Sequence, residues 1–245
     1  MKLVIIGRRR NGITLTESQT YQLTRHGPLV LELIRRHPDI GPIRYVENHA
    51  FDGTYRAPSG GNGGFTENRD FITEVWFAEP EHAVACQQSE FYRHTVSLDE
   101  LRVVDSRTIL KLPVTETVVL SSTGQELTTK LFVMLGAAVD SDTGSLLSAW
   151  DAALPAMTAL PTYTGVQRHV RNEPLYGSGR ASKIDCIDEY WFKSEESARK
   201  FAFDLLPFVV ETLSQEPRKL MEPSNPFLLF TNEIVMFNKL ESTNL

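Results

Sequence analysis

The sequence has few cysteines and no long apolar run. Its 245 residues include two cysteines, Cys86 and Cys186, and no apolar segment reaches the roughly 18 to 20 residues that a membrane span needs. Residues 1–12 hold a short apolar run followed by arginines, which is too short for the core of a signal peptide. The two thiols lie in predicted core segments without metal-type spacing, a pattern that favours free buried cysteines over a disulfide. We therefore expect a cytoplasmic protein that does not contact membranes.

The chain also lacks an excess of positive charge and any recognisable cofactor motif. Its formal net charge is −6, so we expect no nucleic-acid partner. No HxxxH or HExxH spacing is present, and we expect neither a metal nor a cofactor, although His26, His49, Glu47 and His169 leave a metal site as a minority alternative. The glycine-rich stretch 53–70 contains no lysine and is not a phosphate-binding loop. A small molecule is the expected partner.

An internal repeat is the most informative pattern in the sequence. EVWFAEPEHAVA (74–85) matches EYWFKSEESARK (189–200), and YVENH (45–49) matches HVRNE (169–173). Each half reads as strand, helix, strand, strand, helix, strand, which is the ferredoxin-like order. We therefore predict an α+β protein with two tandem ferredoxin-like βαββαβ repeats, 1–120 and 127–240. The two sheets are expected to close an intramolecular α+β barrel, and a side-by-side arrangement stays open.

Two local signals predict where the first two helices begin. Thr16, followed three residues later by Gln19, fits a capping box, and Pro80 fits the first position of a helix. Cys86 and its neighbours continue that second helix. The first helix contains the sequence LTRHGPLV (23–30), in which two helix-weakening residues follow a histidine. We interpret this as a kink that either orients His26 inward or simply exposes it.

Three motifs of the first half resemble a known family. TRHGPLV (24–30), IRYVENHAFDG (43–53) and EVWFAEPEHA (74–83) resemble the EthD-like family of the dimeric α+β barrel superfamily. HVRN (169–172) and DEYWFKSEESA (188–198) carry a weaker likeness in the second half. The resemblance implies a barrel that is normally assembled from two chains and small, often aromatic or lactone-like substrates. Here the fused repeat would supply both halves, and a homodimer of the fused chain stays open.

Alternation along the second strand groups the candidate site residues. Tyr45, Glu47 and His49 share one face, and His169 and Arg171 take the corresponding face of the repeat. If this face lines the barrel lumen, it builds a polar pocket; a solvated face is the alternative. The candidates comprise catalytic His49, His26 and Tyr45, and substrate-binding Glu47, Arg56, His169 and Arg171.

Each candidate has a role that its chemistry suggests. His49 suits proton exchange because imidazole titrates near neutral pH, and His26, carried over from the RHGP motif, would assist it unless it only holds helix to sheet. Tyr45 could donate to a developing oxyanion. Arg56 lies in a stretch that could be a lid over the pocket or a plain loop. Glu74, Glu189, Trp76 and Trp191 occur in both halves, and this equivalence favours structural roles.

The predicted function is proton-transfer chemistry without a cofactor. We expect a lyase or isomerase of small-molecule metabolism that dehydrates, cyclises, decarboxylates or isomerises an aromatic, polyketide-like or lactone substrate. Two alternatives remain from the sequence: a non-catalytic small-molecule binding protein, and a cofactor-independent monooxygenase. The second half lacks a histidine corresponding to His26 and has Glu173 where His49 would align, so we expect the first half to hold the site.

Overall fold

Strands and helices follow the same order in both halves of the chain. The computed structural model describes residues 1–53, 69–121, 127–175, 184–215, 219–221 and 226–239. In the first half a strand, a helical region, two strands, a second helical region and a strand succeed one another, and the second half repeats this order. Both helices and strands occur in each half, so the α+β class is confirmed.

The helical regions of the first half are interrupted, and its strands are regular. Two short segments, Gln22–His26 and Tyr92–Val96, are π-helical; we name them π1 and π2. A 3₁₀ turn covers Ser106–Thr108. The remaining elements are β1 (Lys2–Gly7), α1 (Leu15–Tyr21), α2 (Gly27–Arg36), β2 (Arg44–Gly53), β3 (Phe71–Trp76), α3 (Pro80–Gln88), α4 (Ser97–Glu100) and β4 (Leu110–Leu120).

The second half contains two long helices without a π-helical segment in its described residues. A 3₁₀ turn covers Pro161–Gly165. The elements are β5 (Thr129–Leu135), α5 (Thr143–Thr158), β6 (Arg168–Pro174), β7 (Cys186–Phe192), α6 (Glu195–Leu213) and β8 (Phe227–Asn238).

The eight strands close into one barrel in the order β1-β3-β2-β8-β5-β7-β6-β4. A barrel formed by a single chain was expected, and this part of the prediction is confirmed. Contacts divide the described residues into two units. Unit 1 comprises 1–50, 69–114 and 233–239, and unit 2 comprises 51–53, 115–121, 127–175, 184–215, 219–221 and 226–232.

Each unit has an antiparallel sheet with a central pairing strand. In unit 1, β3 pairs with β1 and β2, and in unit 2, β7 pairs with β5 and β6. One face of each sheet packs on the helices of its own unit. In unit 1 this core contains Leu33, Tyr45, Val75 and Cys86; in unit 2 it contains Leu131, Trp150, Tyr190 and Phe201.

The cap of the first helix lies two residues before the predicted one. Thr14, not Thr16, caps α1: its hydroxyl accepts from the Glu17 amide at 3.1 Å, and its own amide donates to Glu17 Oε2 at 2.7 Å. Both threonines fit the capping-box spacing, so local sequence could not choose between them. The prediction for Pro80 is confirmed, because α3 begins at this residue.

The opposite face of each sheet carries the same buried polar cluster. In unit 1, Lys2 Nζ lies 2.7 Å from Glu74 Oε1, and Asn48 Nδ2 donates to Glu74 Oε2 at 2.8 Å. The ammonium also lies 4.9 Å from the ring centre of Trp76, within cation–π range. A buried carboxylate matched by an amide and an ammonium is a structural arrangement.

Unit 2 repeats that cluster residue for residue. Lys130 Nζ lies 2.7 Å from Glu189 Oε2 and 4.2 Å from the ring centre of Trp191. Asn172 Nδ2 donates to Glu189 Oε1 at 2.6 Å. The duplication supports the structural interpretation of the paired glutamates and tryptophans.

The state of the two cysteines agrees with the sequence prediction. Cys86 and Cys186 are buried free thiols, as predicted, and burial raises the pKa of Cys86 to about 11. No helix in the described parts of the chain has the length and apolar character to span a bilayer.

Candidate functional site

Three side chains of β2 form a hydrogen-bonded row on one face of the unit 1 sheet. The Tyr45 hydroxyl donates to Glu47 Oε1, and His49 Nε2 lies 2.9 Å from Glu47 Oε2. All three residues are buried, with exposed fractions of 2%, 2% and 6%. Burial, reinforced by the charge of Glu47, raises the pKa of Tyr45 well above its ordinary value, so this phenol stays protonated. The predicted shared face is present.

This face packs on helices, so the expectation that it lines the barrel lumen is wrong. Tyr45 belongs to the core that contains Leu33 of α2 and Cys86 of α3. Asn48, one residue out of phase, belongs to the opposite face and reaches Glu74. The alternation of side chains assigns residues to two faces but does not say which face meets the helices, so only the structure could decide this point.

His26 ends π1, and an aspartate holds its ring. The His26 Nδ1 atom lies 3.1 Å from Asp99 Oδ2, and the Tyr21 hydroxyl donates to Asp99 Oδ1 at 2.7 Å. Because an ionised carboxylate only accepts, Nδ1 carries the proton in this bond and Nε2 is the nitrogen left to accept from a ligand. The arrangement fixes the tautomer of His26, as a positioned base requires.

Gly27 and Pro28 change the helix without breaking it. The Gly27 amide donates to the carbonyl of Gln22, five residues earlier, which is the π-helical pattern. A Cβ atom on residue 27 would lie 2.6 Å from Met236 Cε, 2.9 Å from the Gln22 carbonyl oxygen and 3.6 Å from Glu47 Oε1. Glycine therefore permits this turn and its approach to Glu47. The irregularity in LTRHGPLV is a π-helical segment that ends at the histidine.

The second π-helical segment presents another polar pair. The Tyr92 hydroxyl donates to Glu100 Oε1 at 3.2 Å, and burial together with the Glu100 charge raises the pKa of Tyr92. The sequence did not predict a role for Tyr92, Asp99 or Glu100. No apolar period or motif marks a π-helical segment, and Asp99 is distant from His26 along the chain.

A cavity lies within unit 1 between the helix-facing side of its sheet and the helices. Its volume is about 880 Å³, including the space at its mouth. His26, Tyr45 and Glu47 line it, whereas His49 is not among the described lining residues and reaches it through Glu47. The other polar lining residues are Gln22, Thr73, Gln87, Tyr92, Glu100 and Lys111, and apolar ones include Leu3, Ile5, Val30, Leu33, Val75 and Val96.

In unit 2 the equivalent strand positions hold a buried charge network. Asp188 on β7 accepts from Trp150 Nε1 at 2.6 Å and from Arg171 Nε at 2.9 Å. His169 Nε2 lies 3.4 Å from the same carboxyl group, and its ring stacks on Tyr190 at 4.3 Å. His169 and Arg171 are thus enclosed in the core of unit 2 and do not line the unit 1 cavity. Their predicted role in substrate binding stays a prediction.

The network keeps Asp188 ionised. Burial alone would raise the pKa of Asp188, but hydrogen bonds and charges from His169 and Arg171 outweigh it and hold the pKa well below its usual range. Arg171 also bonds Asp151. A fully buried carboxylate of this kind depends on its cationic partners.

Two further expectations concern Arg56 and metal binding. Arg56 lies outside the described residues. Within the described residues, no three His, Cys, Asp or Glu side chains converge into a group that could hold a metal ion.

Comparisons with known proteins agree with this architecture. The chain resembles the crystal structure of an anthrone oxidase-like protein (11% identical, TM-score 0.54, 98% of this chain and 94% of the other). It also resembles a proposed monooxygenase from Lactobacillus acidophilus NCFM (6%, 0.52, 97% and 95%) and a proposed chlorite dismutase (12%, 0.53, 94% and 94%). At these identities the likeness concerns the fold. These neighbours bear the names of enzymes, but they share no single reaction.

A family model matches residues in the first half of the chain. No curated protein matches it in sequence. Residues 10–107 match the EthD domain, and this range contains His26, the β2 row and Asp99. This match agrees with the family that the first-half motifs resemble.

Proposed function

We propose that the protein is an enzyme of small-molecule metabolism that moves protons on a carbonyl-containing substrate without a cofactor. The observation that carries the proposal is His26: Asp99 holds its Nδ1 atom, and the ring forms part of the wall of the unit 1 cavity. A tautomer fixed in this way leaves one nitrogen as a base at the place where a substrate can bind. His49 is the first candidate from the sequence, but the geometry favours His26.

The expected chemistry begins with removal of a proton from a carbon beside a carbonyl group. The proton passes to Nε2 of His26, and the electron pair of the broken C–H bond moves toward the carbonyl oxygen. Asp99 stabilises the resulting imidazolium, and Tyr21 holds Asp99 in place. Asp99 and Tyr21 act as positioning residues.

The β2 row can neutralise the oxygen on which negative charge develops. A proton held on His49 can reach the cavity through Glu47, which lines it. The Tyr45 hydroxyl donates to Glu47, so its role is to orient this carboxylate rather than to contact the oxyanion as first expected. The resulting enol is an intermediate common to dehydration, cyclisation and isomerisation.

We also propose that the two halves are copies of one ferredoxin-like unit, with boundaries near 1–120 and 127–240. The identical order of elements and the duplicated Lys–Glu–Asn–Trp cluster support this.

Deuterium exchange tests the reaction type without knowledge of the natural substrate. β-Tetralone, a neutral aromatic ketone, exchanges the protons between its ring and its carbonyl group slowly in heavy water. We expect chelator-treated, dialysed protein to accelerate this exchange, as followed by proton NMR, equally in air and under nitrogen. The Glu196→Gln variant, which alters an exposed carboxylate of α6, should match the wild type.

Other outcomes would contradict the proposal in distinct ways. Binding of β-tetralone without faster exchange would indicate a non-catalytic binding protein. A product formed only in the presence of oxygen would indicate a monooxygenase.

A further inference from the structure

The charged groups around the unit 1 cavity are mostly carboxylates. Glu47 and Glu100 line the cavity, and Asp99 lies behind His26. Among the described lining residues, the permanently cationic side chain is Lys111, and it is exposed. A negatively charged ligand group entering this space would meet like charges in a partly desolvated site.

The hydrogen-bonding groups show the same bias toward acceptors. The hydroxyls of Tyr45 and Tyr92, the phenols of the lining, already donate to Glu47 and Glu100. Both oxygens of Glu47 are already bonded, Oε1 to Tyr45 and Oε2 to His49. The carboxylate oxygens of Glu47 and Glu100 and Nε2 of His26 can only accept while the carboxylates are ionised and the imidazole is neutral. Gln22, Thr73 and Gln87 can donate as well as accept, so the excess of acceptors comes from Glu47, Glu100 and His26. A ligand that bonds to these three side chains must supply a donor.

The rest of the lining is apolar, and it belongs to both the sheet and the helices. Leu3, Ile5 and Val75 come from the sheet, and Val30, Leu33 and Val96 come from the helical regions. A flat apolar body fits between two such layers, because a ligand pocket buries most of the ligand surface against apolar side chains.

We infer that the cavity selects an uncharged, hydroxyl-bearing aromatic molecule of the phenol or enol class and rejects carboxylates. This inference rests on the proposed function, since it assigns the substrate class of the same site. It has a chemical consequence: a substrate carboxylate is disfavoured, so dehydration, cyclisation and isomerisation remain and decarboxylation does not.

Three naphthalene ligands test separately whether the ligand must be uncharged and whether it must donate a hydrogen bond. β-Naphthol can donate a hydrogen bond, β-naphthyl methyl ether cannot, and β-naphthoate carries a negative charge. By calorimetry on the full chain at neutral pH, we expect β-naphthol to bind at least about tenfold more tightly than β-naphthoate and measurably more tightly than the ether. Equal or tighter binding of β-naphthoate would overturn the charge argument, and equal binding of the ether would overturn the donor argument.

A Glu100 variant tests whether this residue causes the rejection of carboxylates. We expect Glu100→Gln to improve binding of β-naphthoate by at least about fivefold, because one like charge is removed while the shape is kept. Glu196→Gln makes the same change on the exposed surface of α6 and should leave all three affinities unchanged. No improvement in Glu100→Gln would contradict the inference.

The outcome is separable from that of the exchange assay. If β-naphthol binds most tightly but the protein does not accelerate exchange of β-tetralone, the proposed reaction is refuted and the ligand class is kept. Exchange of β-tetralone together with preferred binding of β-naphthoate would refute the ligand class alone.

Discussion

The His26→Ala variant is expected to exchange the protons of β-tetralone at least about a hundredfold more slowly than the wild type, the lower range for loss of a general base. The Nε2 atom of His26 is the acceptor that the geometry leaves for the substrate, since Nδ1 is bonded to Asp99. His94 is an exposed histidine, and His94→Ala should exchange at the wild-type rate. Exchange is measured by proton NMR, with circular dichroism to show that each variant is folded.

Asp99→Asn separates positioning from folding. The imidazolium loses the carboxylate that stabilises it, so kcat for exchange should fall while KM for β-tetralone stays close to the wild-type value. A purely structural role would change both constants together. An unchanged rate in His26→Ala, together with a large loss in His49→Ala, would return the proton-exchange role to His49.

The Arg171→Met variant is expected to lose about 3–5 kcal/mol of unfolding free energy, the range found when one partner of a buried ion pair is removed. Arg171 is 4% exposed and bonds Asp188, whose side chain is fully buried. Methionine keeps much of the volume but leaves that carboxylate without its guanidinium. Urea unfolding, followed by tryptophan fluorescence, measures the loss, because Trp150 donates to the same carboxylate.

Arg199→Met is the matched control in the same unit. Arg199 pairs with Asp52, but both side chains are more than a third exposed, and such pairs contribute at most about 1 kcal/mol. A loss in Arg171→Met no larger than in this control would show that Asp188 does not depend on Arg171.

The order of elements and the β2 row could be predicted because both follow from short-range periodicity. Alternate residues of a strand share a face, so Tyr45, Glu47 and His49 were grouped correctly. Which face meets the helices depends on the packing of the whole unit. The expectation of a lumen site was wrong because alternation along one strand does not reveal how the whole unit packs.

Asp99 could not be predicted as the partner of His26, and here the reason is distance along the chain. Asp99 lies far from His26 in sequence, and π2 alters the register of the helical region before α4. A π-helical hydrogen bond adds a residue to one turn without a sequence signal as clear as a cap or an apolar period. The segments π1 and π2 lie in the two helical regions that supply His26, Tyr92 and Glu100 to the cavity wall.

A crystal structure of the protein with β-naphthol bound tests whether the unit 1 cavity is the ligand site. We expect the naphthalene ring inside this cavity, with its hydroxyl at hydrogen-bond distance, about 2.6–3.2 Å, from Nε2 of His26 or from a Glu47 oxygen. Ligand bound elsewhere with the cavity empty, or bound in the cavity with its hydroxyl turned away from both residues, would contradict it.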